Sequence, residues 1–330
     1  FFSIIPVLCC AMASGFPGDL SDAQLTAKDK LIEALAETLQ KPEAQTFVEK
    51  FGGMERCMLR WLRCTKFEVD AAKKRFESTL KWRAENGADT CLEDKGIAAI
   101  VEKISPHWPG AFYGSTKDGC PIQFISVGQA NPQYIVNNFP EAELVKFYIY
   151  WMELCSAKQV ELMKQLEGEG KSTDTCRGSI EIYDCSALSF WQMHVNGIRV
   201  LARTLSLGST HYPENLYRGY VVNTPRVFSM AWKVISPVLN ENARKRLTLS
   251  YDNCTEQLKE IMDAEQIAEV FKSVDNKAPA APAGEPAVDE KALEEEYKEV
   301  LGENGASSPK SGDKAADGPV PPEEANGTEK

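Results

Sequence analysis

The feature that most constrains this chain is an alternation of short strand-like runs with long helical runs between residues 121 and 273. The strand-like runs are 121–127, 179–184, 217–223 and 247–251, and helical patterns lie at 141–166, 190–206, 225–239 and 256–273. This order requires crossover connections, which join parallel strands and place helices on the faces of a sheet. The sequence therefore predicts an α/β fold with a mainly parallel sheet.

A purely helical pattern precedes this region, from about residue 21 to residue 86. Gly87 and the polar residues after it end the last helical run. Beyond Lys277 the chain is rich in Pro, Ala, Gly and acidic residues, a composition typical of disordered segments. We therefore divide the chain into an uncertain leader (1–18), an N-terminal helical lobe (19–90), an α/β domain (91–275) and a disordered acidic tail (276–330).

The charge is unevenly distributed along the chain. Of the net charge of −11, residues 276–330 contribute −7, because six Lys stand against thirteen Asp and Glu there. An acidic balance of this kind argues against nucleic acid as a general partner. The tail is instead a candidate segment for recruiting an unidentified protein.

The N-terminus and the cysteines bear on the cellular location. The start "FFSIIPVLCCAMA" resembles a signal-peptide apolar region with an A-x-A cleavage site, but it has no basic residues before the apolar run. The ten cysteines are scattered without a C-x-x-C pair, which favours reduced, mostly buried thiols in a cytosolic protein. No run reaches the roughly eighteen apolar residues of a membrane span. We expect a cytoplasmic protein that contacts membranes peripherally.

Two helical runs are apolar on most of their surface. In the run 225–239 only a narrow stripe is polar, and the run 141–166 carries one thin polar line that includes Glu153. Either run taken alone is compatible with an ordinary buried core helix. Together the two runs carry more apolar surface than is needed to cover one face of a sheet.

The sequence offers little support for catalysis. The stretch "EGEGKST" (167–173) follows a helix and precedes a strand, the reverse of a phosphate-binding loop. The three histidines belong to no metal-binding pattern, so no metal is expected. We expect four cysteines to pack as small apolar residues, namely Cys120, Cys155, Cys176 and Cys185. We predict that the protein is not an enzyme and needs no cofactor.

Four segments are similar to those of a known family. They are "LRWLRCTKFEVDAAKKRFESTLKWR" (59–83), "WPGAFYGSTKDGCPIQFISVG" (108–128), "IEIYDCSALS" (180–189) and "HYPENLYRGYVVNTPRVFSMAWKVISPVLNENARKRL" (211–247). Through these residues the chain resembles the CRAL-TRIO family of lipid-binding and phosphatidylinositol/phosphatidylcholine transfer proteins.

The resemblance implies a helical lobe packed on a mainly parallel mixed sheet flanked by helices, enclosing an apolar lipid pocket that a movable helix closes. It places on this gate helix Val227, Phe228, Met230, Ala231, Trp232, Lys233, Val234 and Ile235. It places on the pocket wall Phe112, Phe124, Tyr148, Trp151, Met152, Tyr183 and Val221.

The resemblance also implies residues for the lipid headgroup. In family members that hold phosphatidylinositol, the positions of Lys66, Glu214 and Arg246 bind the headgroup. Ser179 falls where the family places a hydroxyl used for phosphatidylcholine, whereas Glu181 stands where another hydroxyl is usual. We therefore expect a bound phospholipid, with phosphatidylinositol as the favoured ligand.

Two functions are compatible with these residues. The first is binding of a phospholipid and its transfer or presentation between membranes, with transient docking to the membrane surface. The second is a sensor or adaptor that holds a small hydrophobic ligand, tocopherol-like or retinoid-like, and signals through the acidic tail.

Overall fold

A computed structural model describes residues 13–193, 195–239 and 241–272, together with the single residue 295. The acidic tail expected at 276–330 lies outside the described residues except for residue 295, and so does the leader up to residue 12. Residues 13–18 of that expected leader pack onto the fold. The Phe16 ring lies 3.9 Å from the Arg63 guanidinium, and the Gly15 carbonyl accepts a hydrogen bond from Arg63 (2.7 Å). The packed structure thus begins before residue 19.

The N-terminal lobe consists of helices around an aromatic core. They are α1 (Asp22–Ala34), α2 (Ala36–Leu39), α3 (Pro42–Lys50), α4 (Met54–Cys64) and α5 (Val69–Asn86). The Phe47 ring lies 5.9 Å from Trp61 and 5.2 Å from Phe76, and all three side chains are fully buried. As predicted, Gly87 ends the last of these helices, in the left-handed conformation that leaves α5 capped by a hydrogen bond to Arg83.

The second region is the predicted α/β domain. Its elements are α6 (Lys95–Ile104), β1 (Gly110–Ser115), β2 (Pro121–Ser126), α7 (Pro132–Asn138), α8 (Glu141–Gly168), β3 (Ser179–Asp184), α9 (Val195–His211), β4 (Leu216–Val222), α10 (Phe228–Ile235), α11 (Glu241–Lys245), β5 (Leu247–Leu249), α12 (Thr255–Lys259) and α13 (Ala264–Lys272). The sheet order is β1-β2-β3-β4-β5, with β1 antiparallel and the others parallel. The predicted mainly parallel mixed sheet is confirmed.

The structure differs from the sequence prediction at several elements: helices α6, α7 and α11 were not predicted, α9 begins at Val195 instead of residue 190, and three further elements differ in form. Strand β1 was not predicted, because its short sequence contains two glycines and its register shifts between Phe112 and Ser115. The run 256–273 forms two helices instead of one. The run 225–239 is helical only from Phe228 and continues as a 3₁₀ turn over Ser236–Val238, where Pro237 lacks the amide that an α-helix needs.

The two faces of the sheet are covered differently: one packs on a solid core and the other borders the site. Side chains alternate along each strand, so Ile122, Phe124, Ile180 and Ile182 share one face and pack in a core with residues of α12 and α13. The residues between them point to the opposite face, which α8, α9 and α10 cover. Because the second face carries the site, this alternation decides which strand residues can reach it.

A buried ionic cluster joins the lobe to the α/β domain. The Arg83 guanidinium on α5 is fully buried and donates two hydrogen bonds to the Glu153 carboxylate on α8, at 2.7 and 2.9 Å. It also donates to Asp89 (2.6 Å), and the Tyr212 hydroxyl donates to Glu153 (2.7 Å). The hydrogen bonds of the Arg83 guanidinium thus go to Glu153 on α8 and to Asp89 in the turn after α5.

We predict that Glu153→Ala lowers the free energy of unfolding by about 3–5 kcal/mol, because it removes the buried partner of the Arg83 charge and leaves it only the partly exposed Asp89. Denaturant unfolding monitored by circular dichroism measures this loss. The control is Lys81→Ala, which breaks the exposed Lys81–Glu85 pair and should leave stability unchanged. Equal, small effects of both substitutions would contradict the assignment.

Candidate functional site

A cavity of about 440 Å³ lies between the second face of the sheet and the helices that cover it. Its size falls within the range of small-molecule sites. The walls come from α8 (Phe147, Tyr148, Trp151, Met152), α9 (Leu201, Leu205, Gly208), α10 (Phe228, Trp232, Ile235) and the sheet (Gln123, Ile125, Glu181, Tyr183, Val221). The cavity is thus mainly apolar, with a few polar groups on the sheet.

Helix α9 approaches α8 closely at the cavity wall. A β-carbon at Gly208 on α9 would stand 2.0 Å from the hydroxyl oxygen of Tyr148 on α8. Any side chain at this position would require the phenol to move, and glycine allows α9 to lie against it. Both residues line the cavity.

Helix α10 has apolar residues on two sides, one packed on a core and one facing the cavity. Val227, just before the helix, and Ala231 and Val234 within it are buried against Ile198 of α9 and Val221 of the sheet. Phe228, Trp232 and Ile235 face the cavity, with the two aromatic rings stacked 6.1 Å apart. Ser229 and Lys233 are exposed, and Met230 is half-buried. The expected gate helix therefore covers a hollow space on one side and packs on a core on the other.

Charged residues line part of the cavity wall, and we call the part that carries Lys66, Arg75, Glu214 and Arg246 the mouth. Arg246 follows α11 and donates to the Glu214 carboxylate (3.1 Å) and to the Leu216 carbonyl (2.7 Å). Arg63 donates to the other oxygen of Glu214 at 2.6 and 2.8 Å. Of the three headgroup positions expected from the resemblance, Glu214 and Arg246 are thus in direct contact, and Lys66 lines the same cavity.

Two of these residues occupy a restricted backbone conformation. Lys66 has φ of 53° and the next residue, Phe67, has φ of 63°, while Glu214 has φ of 63°. Residues other than glycine rarely adopt this left-handed region, and such positions concentrate at functional sites. The backbone at the mouth is therefore held by its surroundings rather than by local preference.

Glu214 is ionised at the mouth. Burial alone would raise its pKa, but the charge and hydrogen bonds of Arg63, followed by the charge of Arg246, hold the pKa of this carboxyl below its usual value. A carboxylate held between two guanidinium groups still has lone pairs available to a ligand hydroxyl. The mouth can therefore offer both donors and an acceptor.

A second carboxyl lies on the sheet within the cavity. Glu181 on β3 accepts hydrogen bonds from the hydroxyls of Ser179 (2.9 Å) and Tyr183, its neighbours on the same face of the strand. Burial raises the pKa of Glu181, and the two hydroxyls only partly oppose this. Among the described residues, no ion pair of Glu181 is found. The cavity is thus cationic at the mouth and carries an unpaired acid at its floor.

Not all of the expected wall residues reach the cavity. Tyr148, Trp151, Met152, Tyr183 and Val221 line it. Phe124 does not, because it alternates with Gln123 and Ile125 and faces the core under α12 and α13. Phe112 does not line it either, although its ring stacks on Trp151 at 5.9 Å. Ser179 is fully buried behind Glu181 and bonds the Asn215 carbonyl (2.9 Å).

Sequence reasoning missed Arg63, although a signal was present. Arg56, Arg60 and Arg63 recur at helical spacing on one face of α4. Each contacts the α/β domain: Arg56 donates to Thr173 (2.6 Å), Arg60 to Asn215 (2.7 Å) and Arg63 to Glu214. A basic stripe on a helix that is otherwise apolar indicates acidic or polar partners elsewhere in the fold.

Other kinds of site are not evident in the described part of the chain. None of its helices is long and apolar enough to cross a membrane. No group of His, Cys, Asp and Glu there is arranged to hold a metal ion.

Comparison with known families decides what this geometry belongs to. A model of the CRAL/TRIO domain matches residues 107–272, and a model of the CRAL/TRIO N-terminal domain matches residues 31–78. The chain belongs to the CRAL/TRIO domain family. The N-terminal lobe and the cavity-bearing domain of this CRAL/TRIO protein correspond to these two matches.

Relatives include Protein real-time of Anopheles gambiae, 29% identical over 57% of this chain and 26% of that protein. Another is phosphatidylinositol/phosphatidylcholine transfer protein SFH7 of Arabidopsis thaliana, 24% identical over 65% of this chain and 38% of that protein. The chain spans about a quarter to two fifths of the length of these relatives. The crystal structure of Sfh5 has the same fold, with a TM-score of 0.57 and 17% identity over 86% of this chain and 98% of that one.

We predict that the stabilising effect of Glu214 disappears in acid. Its pKa is lower in the folded state than in the unfolded state, so its contribution is complete above about pH 4.5 and is lost as the pH falls through the folded value. Glu214→Gln should cost about 2–4 kcal/mol at pH 7. The difference from wild type, measured by urea unfolding from pH 7 to pH 3, should shrink below pH 4.5. A difference that does not depend on pH would show that this carboxylate is not held by Arg63 and Arg246.

Proposed function

We propose that the protein binds one phospholipid in the cavity, with phosphatidylinositol as the favoured ligand, and transfers or presents it between membranes. The single observation that supports this most strongly is an apolar cavity with Lys66, Glu214 and Arg246 at one mouth and an apolar helix over its side. Membership of the CRAL/TRIO family and the similarity to the Arabidopsis phosphatidylinositol/phosphatidylcholine transfer protein support the same ligand class.

The energetic need for such a cavity follows from lipid hydration. Exposing acyl chains to water costs about 0.8 kcal/mol per CH₂, so an unassisted phospholipid leaves a membrane slowly. Transfer into an apolar cavity replaces one apolar environment by another. The protein would therefore supply surface and not chemistry, and no covalent bond would be made or broken.

The phosphate of the ligand belongs at the mouth. Lys66 and Arg246 provide positive charge there, whereas Glu181 at the floor has no ion-pair partner among the described residues that could also hold a phosphate. Glu214, ionised and half of a shared ion pair, can accept hydrogen bonds from the inositol hydroxyls. This polarity orients the lipid with its headgroup at the mouth and its chains along α8 and α10.

Helix α10 would act as the gate. Its cavity-facing residues Phe228, Trp232 and Ile235 contact the acyl chains when it is closed, and they would enter the membrane interface when it swings out. Lys233 is exposed and would remain with the lipid phosphates at that interface. Cytoplasmic location and transient membrane docking are part of this proposal.

We expect Lys66→Ala and Arg246→Ala to lower phosphatidylinositol uptake about 10- to 100-fold, since each removes a charge-assisted hydrogen bond. Native mass spectrometry of delipidated protein, reloaded from vesicles that contain phosphatidylinositol, measures uptake. Lys259→Ala is the matched control, because this exposed lysine pairs with the exposed Glu256 and neither residue lines the cavity. Wild-type protein that takes up no phospholipid would refute the proposal.

Glu181 supplies a second arm of the same experiment. Replacing the buried acid by a hydroxyl, Glu181→Thr, should raise phosphatidylcholine uptake at least about tenfold, because it frees the Ser179 and Tyr183 hydroxyls to donate to a lipid phosphate at the floor. Phosphatidylinositol uptake should stay unchanged, because its phosphate lies at the mouth. A parallel loss of both lipids would place the phosphate at the floor instead.

We expect Phe228→Asp and Trp232→Asp to abolish transfer between donor and acceptor vesicles, because a charge on this face opposes both the closed cavity and membrane entry. Transfer of a fluorescent phosphatidylinositol measures the effect. Ser229→Asp places the same charge on an exposed position of α10 and should retain transfer. Normal transfer by the first two variants would show that α10 is not the gate.

One observation favours the sensor or adaptor that holds a small hydrophobic ligand. The hydroxyl-rich floor around Glu181 and Tyr183 can bond a single ligand hydroxyl without any cation. Reloading with a tocopherol-like alcohol in competition with phosphatidylinositol separates the two ligand classes. The acidic tail that such an adaptor would use lies outside the described residues.

A further inference from the structure

Two thiols meet where β2 and β3 begin, at a place that does not line the cavity. Cys120 directly precedes β2, and Cys176 lies shortly before β3. The Cys120 thiol donates to the Thr175 carbonyl (3.5 Å), and the Cys176 thiol donates to the Gly119 carbonyl (3.3 Å). Each thiol therefore contacts the residue that precedes the other cysteine, so the two sulfur atoms lie side by side.

These thiols are covered by only a thin layer of backbone. Cys120 is 1% exposed and Cys176 is 6% exposed, but Asp118 and Thr175 beside them are exposed. The Thr175 hydroxyl donates to the Asp118 carbonyl (3.1 Å), which is the exposed bond that holds the two turns together. A local opening of this pair of turns would admit a small oxidant without disturbing the sheet.

The environment also divides the reactivity between the two sulfurs. The hydrogen bond with Cys176 lowers the pKa of the Cys120 thiol to about 7, and the same bond raises the pKa of Cys176. Burial instead raises the pKa of the Cys57 and Cys155 thiols to about 12. Only the thiolate is a strong nucleophile, so Cys120 differs from these core cysteines at neutral pH.

We propose that Cys120 and Cys176 form a reversible intramolecular disulfide when the protein meets hydrogen peroxide. The Cys120 thiolate attacks one peroxide oxygen, the O–O bond breaks, hydroxide leaves and Cys120 becomes a sulfenic acid. Cys176 then loses its proton and its sulfur attacks the Cys120 sulfur, so that the S–S bond forms, the S–O bond breaks and water leaves. Two thiols and one hydrogen peroxide give one disulfide and two waters.

The disulfide would close a loop that contains α7 and α8, the helix that forms one wall of the cavity. Closing a loop of this length restricts the unfolded chain and should raise Tm by about 5–10 °C. The cavity keeps its lining residues, since neither cysteine belongs to them. This inference does not depend on the proposed lipid ligand.

The test uses the full chain at pH 7, treated with hydrogen peroxide, blocked with N-ethylmaleimide and digested without reductant. The expected result is a peptide pair joining residues 120 and 176, lighter by two hydrogens than the separate peptides and absent after dithiothreitol treatment. Cross-links that join other cysteines, or full oxidation without this link, would overturn the proposal.

Variants identify the roles of the two sulfurs. Cys176→Ala should abolish the link, leave a dimedone-trapped sulfenic acid on Cys120 and slow alkylation of Cys120 by iodoacetamide at least about tenfold, since alanine cannot donate the hydrogen bond that the Cys176 thiol provides. The control is Cys64→Ala, which removes the half-buried cysteine of α4 and should leave the link intact. An unchanged alkylation rate in Cys176→Ala would show that Cys176 does not activate Cys120.

Discussion

The structure depends on holding the sheet and the helices α8, α9 and α10 apart, with a cavity between them. One face of the sheet is covered by a solid core, whereas the other face packs on α9 and α10 only in part and otherwise borders a cavity of about 440 Å³. Side chains that border a void lose dispersion contacts, so such walls tend to collapse. Something other than close packing must hold the helices in place.

Buried ion pairs supply that support at both ends of the lobe. Arg83 and Glu153 connect α5 to the middle of α8, and Arg63 and Glu214 connect α4 to the cavity mouth. Ion pairs of this kind add little net stability over apolar packing, but they fix geometry strictly, because losing either partner leaves a buried charge. The helical lobe thus holds α8 and the cavity mouth in position through these two ion pairs.

The sequence predicted those elements whose own residues show a clear periodic pattern of apolar and polar side chains. The central parallel strands and the long helix α8 were predicted close to their observed bounds, and the thin polar line on α8 contains Glu153, the partner of Arg83. Strand β1 lacked such a pattern. Its pairing with β2 is a tertiary contact that a short run containing two glycines does not encode locally.

The site was less predictable for a geometric reason. Which wall residues face the cavity depends on strand parity, and Phe124 falls on the wrong side by one position. The resemblance proposed Lys66, Glu214 and Arg246 as headgroup positions, but Arg63 meets Glu214 only through the packing of α4 against the α/β domain. When an ion pair joins two domains, its signal can be one-sided: the arginines recur at helical spacing on α4, but nothing around Glu214 indicates its partner.

The contact of Gly208 with Tyr148 has a consequence for ligand diversity. An alanine at this position would force the phenol to move, and because both residues line the cavity, the shape of the cavity there depends on the missing methyl group. One substitution on α9 can therefore change the space that the cavity offers without touching any charged residue of the mouth.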